Sequence, residues 1–237
     1  MRHNGFGMWR PKVVLFDMDG VLYDSMPYQV IAWHDALAKF GLHFTAEDSY
    51  ATEGMRGVET IKQYAKKQLG KDLTDAQAQA IYDEKSRLFD LMPRPKVFDG
   101  VLDLMEDIRQ AGLASGIVTG SGQKPLFKRL VEDFGRYVNK AHIVTAYSVS
   151  RGKPEPDPYL KGLAFAGNLH PWEGIVVENA PLGIRAGVAA KIFTIAINSG
   201  PLPDEQLLCE GADLLFPSIR ALRKAWPKLL EARAARP

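Results

Sequence analysis

Unbroken apolar runs recur along this chain with helical stretches between them. KVVLFDMDG (12–20) is the first, four apolar residues running straight into two aspartates and a glycine. SGIVTGS (115–121), HIVTA (142–146), GIVVENA (174–180), IFTIAIN (192–198) and ADLLFPS (212–218) have the same form. A short apolar run bounded by turn residues predicts a strand buried on both faces. Helical segments fall between them at roughly 100–111, 123–134, 158–167 and 181–190. Strands alternating with helices predict an α/β fold, a Rossmann-like doubly wound parallel sheet. Such sheets bind ligands outside the carboxyl ends of their strands. Asp17, Asp19, Thr119, Glu178 and Asn179 all stand at those ends.

Residues 26–94 break the rhythm and read as helix after helix. The first is expected from Pro27 to Phe40, with Gly41 ending it. Thr45 opens a second, and Gly57 to Leu69 forms a third, stopped by Gly70. Thr74 and Gln77 have capping-box spacing for a fourth, which ends before Pro93. The block is expected to be an all-α cap (26–94) inserted into an α/β core domain (1–25 and 95–237), hinged near Ser25–Pro27 and Pro93–Pro95.

Composition narrows the function. The formal net charge is +2 and the basic residues are scattered, which argues against a nucleic-acid partner. Cys209 is the sole cysteine, so no intramolecular disulfide forms, as suits a reducing cytoplasm. MRHNGFGMWRPK lacks the apolar stretch of a secretory signal, and no run is long enough to span a bilayer. The terminal ARAARP is expected to fray.

The paired aspartates admit three readings. One is a solvated strand-to-turn junction. A calcium loop fails, because Leu22 and Tyr28 stand where that pattern needs Gly and Glu. The third is phosphoryl transfer, with one carboxylate as nucleophile, its neighbour as proton carrier, and a metal to offset the crowded charge. Companions for it stand at other strand ends. Thr119, Gly120, Ser121 and Gly122 can form an anion cradle or an ordinary strand-to-helix turn. Lys153 lies on an arm stiffened by Pro154, Pro156 and Pro158, with Asp157 as expected helix cap. Glu178 and Asn179 offer hard oxygens suited to Mg²⁺, although Asn179 could equally cap a helix. Four coincidences are less probable than one site.

DMDGVLYDS, VTGS, GKPEPDPY and VVENAPLGIRAG, in that order and with a helical block after the first, resemble the haloacid dehalogenase superfamily over nearly the whole chain. SMPYQVIAW, TEGMRG, IYDEKS and NAPLGIRAGVAAKIFTIAINSGPL resemble its β-phosphoglucomutase-like branch, and within it a Bacteroides-type inorganic pyrophosphatase. The resemblance implies that Asp17 attacks phosphorus and that Asp19 delivers and then takes a proton. It implies that Thr119 and the Gly120 amide hold a phosphoryl oxygen, with Ser121 beside them, and that Lys153 balances charge. Mg²⁺ would be held by Asp17, the Asp19 carbonyl and Asn179, with Glu178 nearby. Asn179 departs from the usual Asp, so weaker metal affinity is expected unless another carboxylate helps.

Glu53, in the loop TEGMRGVE with Gly54 and Gly57, is the candidate for that carboxylate, where sugar-phosphate mutases present cations; Arg56 stands out of register. Lys85 shares an apolar helix face with Ile81, Leu88, Phe89 and Met92, so it must snorkel or find an anion, and a substrate phosphate is the expected partner. Gln29 is a further substrate candidate. His34 is expected to pack, and Trp33, Phe40 and Tyr64 to form cap core. The expected activity is a cytoplasmic, monomeric, Mg²⁺-dependent phosphohydrolase acting on pyrophosphate or a small phosphomonoester. The alternative is a hexose-phosphate mutase; a silent phosphate-binding module is disfavoured by the intact Asp17, Asp19 and Lys153.

Overall fold

The computed structural model describes residues 9–122 and 124–234; the N-terminal stretch before Trp9 and the last residues of ARAARP lie outside them. Six parallel strands form one sheet: β1 (Val13–Phe16), β2 (Ala114–Val118), β3 (Val138–Val144), β4 (Gly174–Glu178), β5 (Phe193–Ile197) and β6 (Leu214–Phe216). Their order is β3-β2-β1-β4-β5-β6, the doubly wound arrangement with its reversal at β1. Phe16 is level with Ile117 on β2 and Val177 on β4. One residue further on, Asp17 and Glu178 therefore leave the sheet side by side, with Thr119 close behind.

Helices α1 (Met26–Ala38), α2 (Ala46–Ala51), α3 (Gly57–Leu69) and α4 (Asp75–Asp90) follow β1. Thr45 and Thr74 each close a capping box, with Asp48 and Gln77, and Gly70 ends α3 in the left-handed region. The four pack round a cluster of their own, including Leu37, Phe44, Ile61, Tyr64 and Ile81. Two expectations fail here. Phe40 is 45% exposed, because the chain leaves α1 before it and turns at Gly41. His34 faces solvent beside Asp35 and does not pack.

The remaining helices cover the sheet. α5 (Val101–Gln110), α6 (Lys124–Phe134) and α10 (Ile219–Ala234) pack on Val14, Phe16, Ile117 and Val177. α7 (Asp157–Phe165) and α8 (Pro181–Ala189) cover the opposite face, on Val13, Leu15, Val118 and Val176. α9 (Asp204–Cys209) packs Leu207 against Ile184 and Ala196. The alternation along β1 explains why all four of its residues are buried: each face of the strand has its own core. Asp157 starts α7 and does not cap it; its carboxylate instead takes both arms of Arg151, at 3.0 and 2.8 Å, bracing the proline arm that carries Lys153. Among the described residues no helix is long and apolar enough to cross a membrane.

Candidate active site

Lys153 lies at the centre of the site, 1% exposed. Its ammonium donates to Asp17 Oδ1 at 2.5 Å, to Glu178 Oε1 at 2.6 Å and to the Val118 carbonyl at 3.2 Å, tying together the ends of β1, β4 and β2. Glu178 is fully buried. Its Oε1 also accepts from the Tyr159 hydroxyl at 2.8 Å, and its Oε2 from the amides of Asn179 and Ala180 at 2.9 and 3.1 Å. A carboxylate has about four acceptor positions, and here all are taken. Glu178 therefore seats Lys153 in this structure. The seat needs Gly183 in α8, where a Cβ would fall 1.7 Å from Glu178 Oε1.

Asn179 and Glu53 meet across the gap between sheet and helices. Asn179 Nδ2 donates to Glu53 Oε2 at 2.9 Å. Asn179 Oδ1 and Glu53 Oε1 are buried without a hydrogen-bond partner. Buried unpaired oxygens are costly and uncommon, and two of them beside Asp17 suit a cation that takes hard oxygen donors. Mg²⁺ fits this set. Among the described residues no three His, Cys, Asp or Glu side chains are grouped to hold a metal, so an amide oxygen or backbone carbonyl must contribute. Gly20 keeps the space open. It lies at φ +78°, and a Cβ there would sit 2.1 Å from Asn179 Nδ2.

Asp19 stands at the turn after β1. Its Oδ1 accepts from Ser25 Oγ and from Gln29 Nε2, the latter at 3.0 Å. Gln29 Oε1 in turn accepts from Lys85, so three residues join the turn to α1 and α4. Lys85 is 4% exposed and also faces the rings of Trp33 and Phe89, each 5.1 Å from its nitrogen. Thr119 is buried, and its Oγ1 accepts the Ser121 amide at 3.0 Å. Gly120 lies against the Gly54 carbonyl, which a Cβ would approach to 2.5 Å.

These groups surround one cavity of about 60 Å³, lined from the sheet by Asp17, Asp19, Thr119, Gly120 and Ser121 and from the helices by Gln29, Glu53 and Lys85. That is room for a handful of water-sized groups. Arg56 is absent from the lining; it donates to the Ser150 carbonyl at 2.9 Å and holds the α2–α3 loop onto the core.

The charge balance is uneven. One ammonium serves two carboxylates, so Lys153 keeps its proton: burial opposes its charge, but Asp17 and Glu178 outweigh it. Burial first, and then Glu178 and Asp19, still push the Asp17 carboxyl up to about 8 against the pull of Lys153. Glu53 is held well above the usual carboxylate range by burial and by Asp17, Glu178 and Asp19. In both carboxyls burial is the larger cause and the neighbouring carboxylates add to it. Tyr159 and Tyr82, which contacts Ser121, were not singled out by sequence reasoning, and Ser25 was named only as a hinge. The only signal for Tyr159 is its place two residues into a helix that begins beside Lys153.

Sheet and site define an α/β enzyme whose carboxylates gather at the switch point of a parallel sheet. The chain belongs to the haloacid dehalogenase-like hydrolases, whose family profile matches residues 14–197. It is 32% identical over 214 residues to hexitol phosphatase A of Escherichia coli, covering 90% of this chain and 94% of that one. Identity to the β-phosphoglucomutase of Bacillus subtilis is 24%, covering 86% and 88%. A solved structure described as "Putative beta-phosphoglucomutase from Bacteroides vulgatus" superposes with a TM-score of 0.90 at 43% identity, covering 94% and 90%.

Proposed function

We propose that this protein is a Mg²⁺-dependent phosphohydrolase that works through an aspartyl-phosphate on Asp17 and prefers inorganic pyrophosphate. The observation that carries the reading is convergence: Asp17, Asp19 and Thr119 line one cavity while Lys153 bridges Asp17 to Glu178. An Asp17 carboxylate oxygen bonds to phosphorus as the bond to the leaving oxygen breaks, and Asp19 gives that oxygen its proton. Water then attacks the phosphorus, Asp19 takes the water's proton, and the bond to Asp17 breaks to release phosphate. Thr119 and the Gly120 amide bind phosphoryl oxygens, and Ser25 and Gln29 aim Asp19. Mg²⁺, when bound, offsets the negative charge of the phosphoryl group and the carboxylates. Asp17, the Asp19 carbonyl, Asn179 and Glu53 would hold it.

Two features support a compact substrate. The cavity is small, and the α2–α3 loop presents Glu53 to it while Arg56 is engaged at Ser150. Residues 26–94 act as a cap, here drawn onto the core by the Asn179–Glu53 and Gln29–Asp19 bonds. The site would act in the cytoplasm, on a monomer. The relatives' names favour a second reading, a small sugar or polyol phosphate as substrate, or a hexose-phosphate mutase. A phosphate-release screen over pyrophosphate, hexose phosphates and short polyol phosphates, with and without Mg²⁺, separates them. Metal-dependent phosphate release, highest with pyrophosphate, is expected. An isomerised sugar phosphate without free phosphate would overturn the hydrolase reading, and a sugar phosphate preferred over pyrophosphate would overturn the substrate.

A further inference from the structure

Ser49 is buried at 3% exposure in α2, and its hydroxyl has no hydrogen-bond partner. A helical serine usually bonds back to the carbonyl four residues earlier. That carbonyl, on Thr45, receives the Ser49 backbone amide at 3.1 Å and not the hydroxyl. Thr52, one turn on, does bond back, to Asp48 at 2.8 Å. The idle hydroxyl lies in the wall of the active-site cavity, on the helical side, as does Lys85. Lys85 is similarly under-used: its hydrogen bond goes to the neutral amide oxygen of Gln29, and among the described residues it forms no ion pair with a carboxylate. A buried ammonium and a buried free hydroxyl on helical residues that line the same cavity as Asp17, Asp19 and Thr119 make a second polar pole.

We propose that Ser49 and Lys85 form the leaving-group subsite and that it takes a compact oxyanion, with Ser49 Oγ donating to one of its oxygens. The subsite rests on the phosphohydrolase reading and adds where the departing half of the substrate sits. Ser49 selects leaving groups that carry an acceptor at that position, and an apolar leaving group gains nothing from it. The oxyanion satisfies a hydroxyl that is otherwise unpaired, and its charge is matched by Lys85, a buried ammonium that no carboxylate engages among the described residues.

The test is Ser49→Ala with Mg²⁺ present, titrated calorimetrically with methylenediphosphonate and with inorganic phosphate. Loss of a hydrogen bond to a charged group predicts a Kd for the diphosphonate weaker by about 10-fold or more, with that for phosphate changed less than about twofold. The ligand-free variant should melt at the same temperature as the wild type or higher, since alanine removes an unsatisfied hydroxyl. Equal losses for both ligands, no loss for either, or a lowered melting temperature would overturn the subsite. Phosphate release from pyrophosphate by the wild type is followed in parallel. Its absence, with the diphosphonate effect intact, defeats the pyrophosphate reading alone; its presence with no Ser49→Ala effect defeats the subsite alone.

Discussion

Replacing Lys85 by Met should make the protein more stable and less active. Burial holds the Lys85 ammonium down from 10.5 to about 8, while Asp19 and Asp90 pull the other way. At about 1.4 kcal/mol per pH unit, keeping this lysine charged costs the fold about 3 kcal/mol at pH 7. The Trp33 and Phe89 ring faces return about 1 kcal/mol of that. Methionine fills nearly the same volume without charge, so Lys85→Met should gain about 2 kcal/mol at pH 7. The gain must shrink on raising the pH. Below about 8 both folded and unfolded chains hold the proton and the penalty is full. Between about 8 and 10.5 the folded chain has released a proton that the unfolded chain still binds, so wild-type stability climbs through that window. Asp19, Asp90 and Tyr82 are the titratable groups that face this nitrogen. Urea unfolding of both proteins without Mg²⁺, at pH 7 and near pH 10, reads the difference. A variant less stable than the wild type at pH 7, or a gap that does not narrow with pH, refutes the reasoning. Pyrophosphate hydrolysis should fall at least about tenfold in kcat/KM, because the leaving group loses its cation.

Asp17→Asn should abolish phosphate release by removing the nucleophile, measured by single-turnover assay; a near wild-type rate would remove Asp17 from that role. Glu53→Ala should weaken pyrophosphate hydrolysis more than hydrolysis of a simple phosphomonoester, read as kcat/KM at several Mg²⁺ concentrations, and equal effects would take Glu53 out of the site. Gly20→Ala should cost at least about 1–3 kcal/mol in urea unfolding, from the left-handed φ and the collision with Asn179, and should weaken Mg²⁺ binding by calorimetry. Wild-type stability and affinity in that variant would mean that the turn re-forms elsewhere.

The sheet was legible because apolar runs flanked by turn residues have few alternatives in a chain of this composition. The strand ends at Asp17 and Glu178 were legible for a related reason: an acidic residue that closes a buried strand has one place to go. Helices α9 and α10 were missed. α10 contributes Leu222 and Trp226 to the core, but Pro227 inside it and the basic residues around it mask the periodicity. Errors at the helix ends, at Phe40 and Asp157, came from placing a boundary one or two residues out, which turns a core ring outward and a cap into a first-turn residue. Lys85 was readable as a charge inside an apolar stripe. Ser49 was not, since a serine among Glu47, Asp48 and Tyr50 gives no sign of burial, and only the packing of α2 against the cavity isolates its hydroxyl. That Glu178 seats Lys153 was not legible, because sequence counts carboxylates but cannot count the donors already pointed at them.

That last point bears on how the site divides its labour. Lys153, Tyr159 and two backbone amides saturate Glu178, so the core alone presents the charge of Asp17, the Asp19 turn and a neutral amide at Asn179. The carboxylate that would complete a hard-oxygen set, Glu53, comes from the helical block and reaches Asn179 across the cavity. In the proposed reading, metal affinity then depends on the cap being down, and cap closure gains from the metal. By linkage the two favour each other equally. Glu53, isolated from water and set among three carboxylates, is the group with most to gain from a cation. An Asp in place of Asn179 would bring the missing charge from the core and loosen this coupling, which gives the Asn–Glu pair a physical reason to occur together.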